Sequence, residues 1–230
     1  MIRAVIFDLD GTLVDTEPIH FAAYVAVLRD EGIELTREEY FGRFIGYNDR
    51  DCFAAVLHEN GRPVDDAAIA GLIDRKSAAF MASIAGRDLL YPGADGFVRR
   101  CVERFPLMVA TGALRREAEL LLDQSAIRRL FVDIIAAEDV EHGKPEPDCF
   151  IAALGRLGFV LRSRPPIASG ECLVVEDTVA GVEAAHRAGM KVLAIAHTTP
   201  AHELASAEIV RNSLVATDLD EVLRALSRLR

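Results

Sequence analysis

Two carboxylates two residues apart, Asp8 and Asp10, follow directly on the apolar run Ala4-Val5-Ile6-Phe7, and Gly11 comes next. A carboxylate at the end of a buried strand is costly unless a cation pairs with it, and a divalent metal suits a cluster of hard oxygens. Gly11 can take backbone angles closed to other residues, so a sharp turn there brings Asp10 back over the same crevice. Two acids then face one site.

Three later stretches place polar groups at comparable points. Thr111-Gly112 ends the apolar run Leu107-Met108-Val109-Ala110, where a hydroxyl and helix-start N–H groups make an anion site. Taken alone, such a pair is usually an ordinary turn. Lys144 stands in His142-Gly143-Lys144-Pro145-Glu146-Pro147-Asp148, where two prolines stiffen the loop and a fixed ammonium could neutralise a phosphoryl oxygen. A loop lysine is otherwise most often exposed. Glu176-Asp177 ends Cys172-Leu173-Val174-Val175, and with Asp8 these acids form an oxygen-rich cage suited to Mg2+. Asp177 could equally cap the helix that follows.

The surrounding elements explain how such groups would meet. The apolar runs at 4–7, 107–110 and 172–175 read as strands buried on both faces, and helical patterns alternate with them from Tyr91-Pro92-Gly93 onward. Further strands are predicted over 131–136 and 191–196, with helices over 94–104, 116–122, 147–157, 179–188 and 220–229. The fold class is therefore α/β, a doubly wound parallel, Rossmann-like sheet, whose binding crevice lies outside the carboxyl ends of the strands. Between the first strand and the rest, Thr16 to about Ala85 shows helical spacing and no convincing strand. Residues 16–87 are predicted to form an inserted helical cap above a core made of residues 1–15 and 88–230. The segment 161–170, with Pro165-Pro166, reads as a surface loop without an arguable function.

Composition narrows the partners. The chain has 230 residues, 51% of them hydrophobic, and 26 Lys and Arg against 36 Asp and Glu give a net charge of −10. That charge disfavours nucleic acid and anionic membranes as main partners. Cys52, Cys101, Cys149 and Cys172 are widely separated and match no zinc spacing, as expected of reduced thiols in a cytoplasmic protein. No signal peptide is expected, and no apolar run reaches the roughly 20 residues needed to span a bilayer.

In order and context, Asp8-Leu9-Asp10, Thr111, Lys144 in Gly-Lys-Pro-Glu-Pro-Asp, and Glu176-Asp177 resemble the haloacid dehalogenase superfamily over nearly the whole chain. The resemblance implies that Asp8 is a nucleophile attacking phosphorus and that Asp10 is the general acid and base. It implies that Asp8, the backbone carbonyl of Asp10, and Asp177 hold Mg2+, with Glu176 among or beside the ligands. Thr111 and Lys144 would offset the phosphoryl charge. The cap resembles that of the β-phosphoglucomutase subfamily. Thr16, His20 and Lys76 match its hinge and proton-control positions, and Gly46 with Arg50 resembles its phosphate-binding turn, Arg50 being displaced by one residue.

Ala113 and Leu114 depart from the hydroxyl and amide side chains usual in mutases. The expected activity is therefore Mg2+-dependent hydrolysis of small phosphorylated metabolites, sugar phosphates foremost, by a monomer or weak homo-oligomer. Alternatives are a phosphomutase and a non-catalytic binding module, although the latter would ordinarily have forfeited one of the acids retained here.

Overall fold

The continuous apolar runs do form a parallel sheet. A computed structural model of the chain describes residues 1–162 and 165–228. Its strands are β1 (Ala4–Phe7), β2 (Leu107–Ala110), β3 (Asp133–Ile135), β4 (Cys172–Glu176), β5 (Lys191–Ile195) and β6 (Ile209–Arg211). They lie in the order β3-β2-β1-β4-β5-β6, every neighbouring pair parallel. The chain winds outward from β1 to one side and then to the other. The switch point falls at the carboxyl ends of β1, β2 and β4.

Alternate strand residues serve two cores. Val5, Phe7, Val109 and Val175 face α5 (Ala94–Val102), α6 (Arg115–Gln124) and α9 (Leu219–Arg228), while Ile6, Met108 and Val174 face α7 (Asp148–Leu161) and α8 (Val179–Arg187). Burying each large aliphatic side chain stabilises the sheet by roughly 1.5–3 kcal/mol. Helices α1 (Glu17–Asp30), α2 (Arg37–Glu39), α3 (Asp49–Glu59) and α4 (Asp66–Ile84) lie between β1 and β2 in sequence and share a core of their own around Tyr24, Leu28, Phe44 and Phe53. Ala23, Phe80 and Ile84 instead join the core beneath the sheet. The two chain crossings run side by side: the Asp15 N–H donates to the Leu89 carbonyl at 2.8 Å, and the Tyr91 N–H to that of Leu13 at 2.9 Å.

Three local expectations change. The predicted strand over 131–136 narrows to Asp133–Ile135, because Phe131 closes a 3-10 turn at Arg128–Leu130. β6 was not legible, since at an edge only Ile209 of its three residues is fully buried and the run is too short for periodicity. The 161–170 reading is shortened, with α7 extending through Leu161; its residues Ser163 and Arg164 lie outside the described residues. Beyond them Arg3 ties the chain down, donating to the carbonyls of Pro165 and Pro166.

Candidate active site

β1 ends at Phe7, and Asp8 continues its course, its N–H donating to the Val175 carbonyl at 2.9 Å. The carboxylate is thereby held at the switch point between β2 and β4, only 5% exposed. Lys144 reaches it from the loop before α7. Its Nζ donates to Asp8 Oδ1 and to Glu176 Oε1, both at 2.5 Å. Burial alone would lower the Lys144 pKa, but the Asp8 and Glu176 charges hold it well above the ordinary lysine value. The ammonium is therefore kept.

Asp8, Glu176 and Asp177 offer carboxylate oxygens that all lie within 4.8 Å of one another. Burial, and then the repulsion of Glu176 and Asp10 against the attraction of Lys144, raises the Asp8 pKa to about 8. Asp177 is pushed well above the carboxylate range by burial and by Glu176 and Asp8, despite hydrogen bonds from Thr198 and Thr12. Ionising all three carboxylates against one ammonium would leave two negative charges for a cation to balance, and the oxygens they offer are hard ligands. The residues fit a divalent ion such as Mg2+. Both Glu176 oxygens are already engaged, Oε1 by Lys144 and Oε2 by the N–H groups of Asp177 and Thr178 at 2.7 and 2.8 Å. Helix capping at this point belongs to Thr178, whose Oγ1 accepts from the Gly181 N–H at 3.0 Å.

Gly11, at φ +78°, makes the turn that returns Asp10, and a Cβ there would lie 2.2 Å from Asp177 Oδ2. Asp10 is placed apart from the acidic cluster. Its Oδ1 accepts from Thr16 Oγ1 at 2.5 Å and faces His20 Nε2 at 3.1 Å, and its Oδ2 lies 3.4 Å from Thr111 Oγ1. Burial acts to raise the Asp10 pKa, but His20, by charge and hydrogen bond, and the Thr16 hydroxyl outweigh it and hold it below the ordinary value. The two aspartates therefore sit in different surroundings, Asp8 in the acidic cluster with Lys144 and Asp10 among Thr16, His20 and Thr111. Thr111 also accepts from the Ala113 N–H at 3.0 Å, which orients its hydroxyl at the start of the turn.

Of the cap residues anticipated, Thr16 and His20 act directly on Asp10, and the His20 ring stacks on Phe80 at 4.0 Å. Gly46 lines the crevice at φ +81°, where a Cβ would stand 3.2 Å from Thr178, and Gly112 lines it from the core side. Lys76 is not a solvated lysine. It is 1% exposed, and its Nζ pairs with Asp49 Oδ1 at 2.7 Å. Arg50 corrects the phosphate-turn reading. Its side chain is 58% exposed and pairs with Asp66 at 2.7 Å, outside the lining of the crevice. An Arg50→Ala variant is accordingly expected to leave KM within about twofold, as for a surface ion pair, and steady-state kinetics on any accepted phosphate ester will check it.

Sequence reasoning missed Thr12 and Thr198, whose hydroxyls both donate to Asp177. Thr12 lies within the Asp-x-Asp-Gly-Thr run, and Thr198 follows the end of β5, so both had a positional signal. Glu17, Tyr24, Tyr40 and Asp49, which line the crevice from the cap, had none.

A parallel sheet that gathers a lysine-bridged acid, an acidic cluster able to hold a metal and a separately held second aspartate at its switch point is the arrangement of a phosphate-ester hydrolase. The chain belongs to the haloacid dehalogenase-like hydrolases, whose family description it matches over residues 2–189. Among its relatives, Fructose-1-phosphate phosphatase YqaB of Escherichia coli is 31% identical over 188 residues, covering 80% of this chain and 92% of that protein. The fold is that of β-phosphoglucomutase from Clostridium difficile, with a TM-score of 0.88 at 19% identity over 100% of this chain and 99% of that one. CbbY from Rhodobacter sphaeroides, solved in complex with phosphate, gives a TM-score of 0.81 at 26% identity, covering 94% and 96% of the two chains.

Proposed function

We propose that this protein is a Mg2+-dependent phosphatase of small phosphorylated sugars, working through a phospho-aspartyl intermediate on Asp8. The observation that carries the proposal is the contrast between Asp8, clustered with Lys144, Glu176 and Asp177, and Asp10, held apart by Thr16 and His20. Sugar phosphates as the substrate class are supported by the fructose-1-phosphate phosphatase among the relatives.

Asp8 and Asp177, with the backbone carbonyl of Asp10, would hold Mg2+, which when bound neutralises phosphoryl charge beside the nucleophile. Lys144 and the Thr111 hydroxyl add positive potential and a hydrogen bond for the phosphoryl oxygens. Asp8 attacks phosphorus, and the leaving oxygen takes the proton of Asp10. An arriving phosphate dianion raises the Asp10 pKa, loading the acid. Asp10, again a carboxylate, then removes a proton from the water that attacks the phospho-aspartate, and phosphate and free Asp8 result. Phosphate release from fructose 1-phosphate and other sugar monophosphates, with and without Mg2+, tests the proposal. No release from any of them would refute it.

The contacts of Thr16 and His20 on Asp10 favour a second reading, a phosphomutase. It predicts conversion of β-glucose 1-phosphate to glucose 6-phosphate in place of net hydrolysis, which a mutase assay with a bisphosphate activator will reveal.

Metal removal should register in stability as well as turnover. Without a cation, the raised Asp8 and Asp177 pKa values mean that stability present at pH 4 is lost as pH climbs toward 8. Mg2+ at a hundred times its Kd should restore about 2.7 kcal/mol, or roughly 5–10 °C in Tm for a chain of this size. The gain should be larger at pH 8 than at pH 5, where protons compete for the same oxygens. Thermal unfolding with EDTA or Mg2+ at both pH values measures it, and equal curves throughout would remove the metal from the site.

A further inference from the structure

The crevice has two chemically different ends. The core end carries Lys144, Thr111 and the Gly112 backbone. The facing wall, from the cap, is lined by Glu17, His20, Tyr24, Tyr40, Tyr47 and Asp49, and among the described residues no arginine or second lysine lines it. The buried cap lysine, Lys76, is committed to Asp49, His20 faces Asp10, and Arg50 points to solvent.

The hydroxyl protons on this wall are also committed. Tyr24 Oη donates to Asp49 Oδ1 at 2.6 Å, and Tyr40 Oη donates to Glu17 Oε2 at 2.8 Å. Burial first, and then those acids, push both tyrosines well above the ordinary pKa, so they stay neutral with their protons on the carboxylates. Only Tyr47, 43% exposed, stands free toward solvent. Asp49 Oδ1 is saturated by Tyr24 and Lys76, whereas Asp49 Oδ2 is buried and has no hydrogen-bond partner. A buried carboxylate oxygen without a donor is costly, so a ligand that supplies one is bound selectively.

From this acceptor-rich wall we infer that Asp49 is a specificity residue that takes a hydrogen bond from a substrate hydroxyl, and that the enzyme selects phosphate monoesters whose far end is uncharged and hydroxylated, rejecting those with a second phosphate. The inference rests on the phosphatase reading and deepens it. Lys76 already balances the Asp49 charge, so a neutral hydroxyl is a better partner than a cation. A distal phosphate would meet Asp49 and Glu17 with no arginine to receive it, and like charges so placed discriminate strongly.

The test compares kcat/KM for fructose 1-phosphate, fructose 1,6-bisphosphate and p-nitrophenyl phosphate, whose leaving group carries no alcohol hydroxyl. The wild-type enzyme should favour the monophosphate over the bisphosphate by about a hundredfold or more, following the cost of unanswered like charge. Asp49→Asn should lower the preference for fructose 1-phosphate over p-nitrophenyl phosphate about tenfold, the worth of a hydrogen bond to a charged group, and should narrow the preference over the bisphosphate. If Asp49→Asn proves unstable because Lys76 loses its partner, the wild-type ratio still decides. A bisphosphate hydrolysed as well as the monophosphate, or a folded Asp49→Asn variant with both ratios intact, overturns the inference while leaving the phosphatase standing. Absence of phosphate from all three esters, p-nitrophenyl phosphate included, sinks the phosphatase reading and this inference with it.

Discussion

An Asp8→Asn variant is expected to release phosphate at least about 10^4-fold more slowly than the parent, the scale on which loss of a covalent nucleophile falls. The amide keeps the volume of the carboxyl and its place beneath Lys144, so the fold should survive. With EDTA at pH 7 the variant should unfold within roughly 1–2 kcal/mol of the parent, the scale of altering one buried hydrogen bond. The reason is that Asp8, with its pKa at about 8, is itself largely protonated when no metal is present. The two proteins should part when Mg2+ is added, because the variant has lost a ligand and its thermal gain shrinks. The combination separates catalysis from folding. A variant that keeps 1% of parental kcat would show that the nucleophile is another group.

Lys144→Ala carries the second large effect. The ammonium lies 2.5 Å from both Asp8 and Glu176 and is buried with them, its Nζ also 5.2 Å from the centre of the Phe150 ring. Removing one member of a buried ionic group leaves the others uncompensated, at a cost of about 3–5 kcal/mol. Loss of one preorganised charge at the transferring phosphoryl group typically lowers kcat about 10^2- to 10^3-fold. The stability loss should be smaller at pH 5 than at pH 8, since Lys144 holds the Asp8 pKa down and its charge matters most where Asp8 is ionised in the parent. Lys144→Met, which keeps the packing of the stem, should behave like the alanine variant if charge is responsible. Urea unfolding at the two pH values and steady-state kinetics provide the measurements. A loss below about 1 kcal/mol with kcat preserved would reduce Lys144 to a loop lysine.

Much of this was legible in the chain itself. Strands buried on both faces must be unbroken apolar runs, so Asp8, Thr111 and Glu176-Asp177 stood out as polar groups at the ends of such runs. Because a parallel sheet gathers the carboxyl ends of its strands along one edge, those groups had to share a crevice. Lys144 was marked by its proline-framed loop, and Gly11 by the turn that the Asp-Leu-Asp-Gly run requires.

What the sequence could not decide was which side chains the helical segment turns toward that crevice. Adjacent residues at the start of a helix differ by about 100° in direction, so Asp49 and Arg50 are interchangeable by position and opposite in consequence. Tertiary packing turned Asp49 inward onto Tyr24 and Lys76 and left Arg50 on the surface with Asp66. It likewise brought Thr12 and Thr198 to Asp177 and committed both oxygens of Glu176 before any ligand arrives. The chain itself determined the chemistry at the strand ends, where burial leaves few alternatives. The character of the facing wall was left to contacts between distant segments, which depend on angles and distances that residue spacing does not encode.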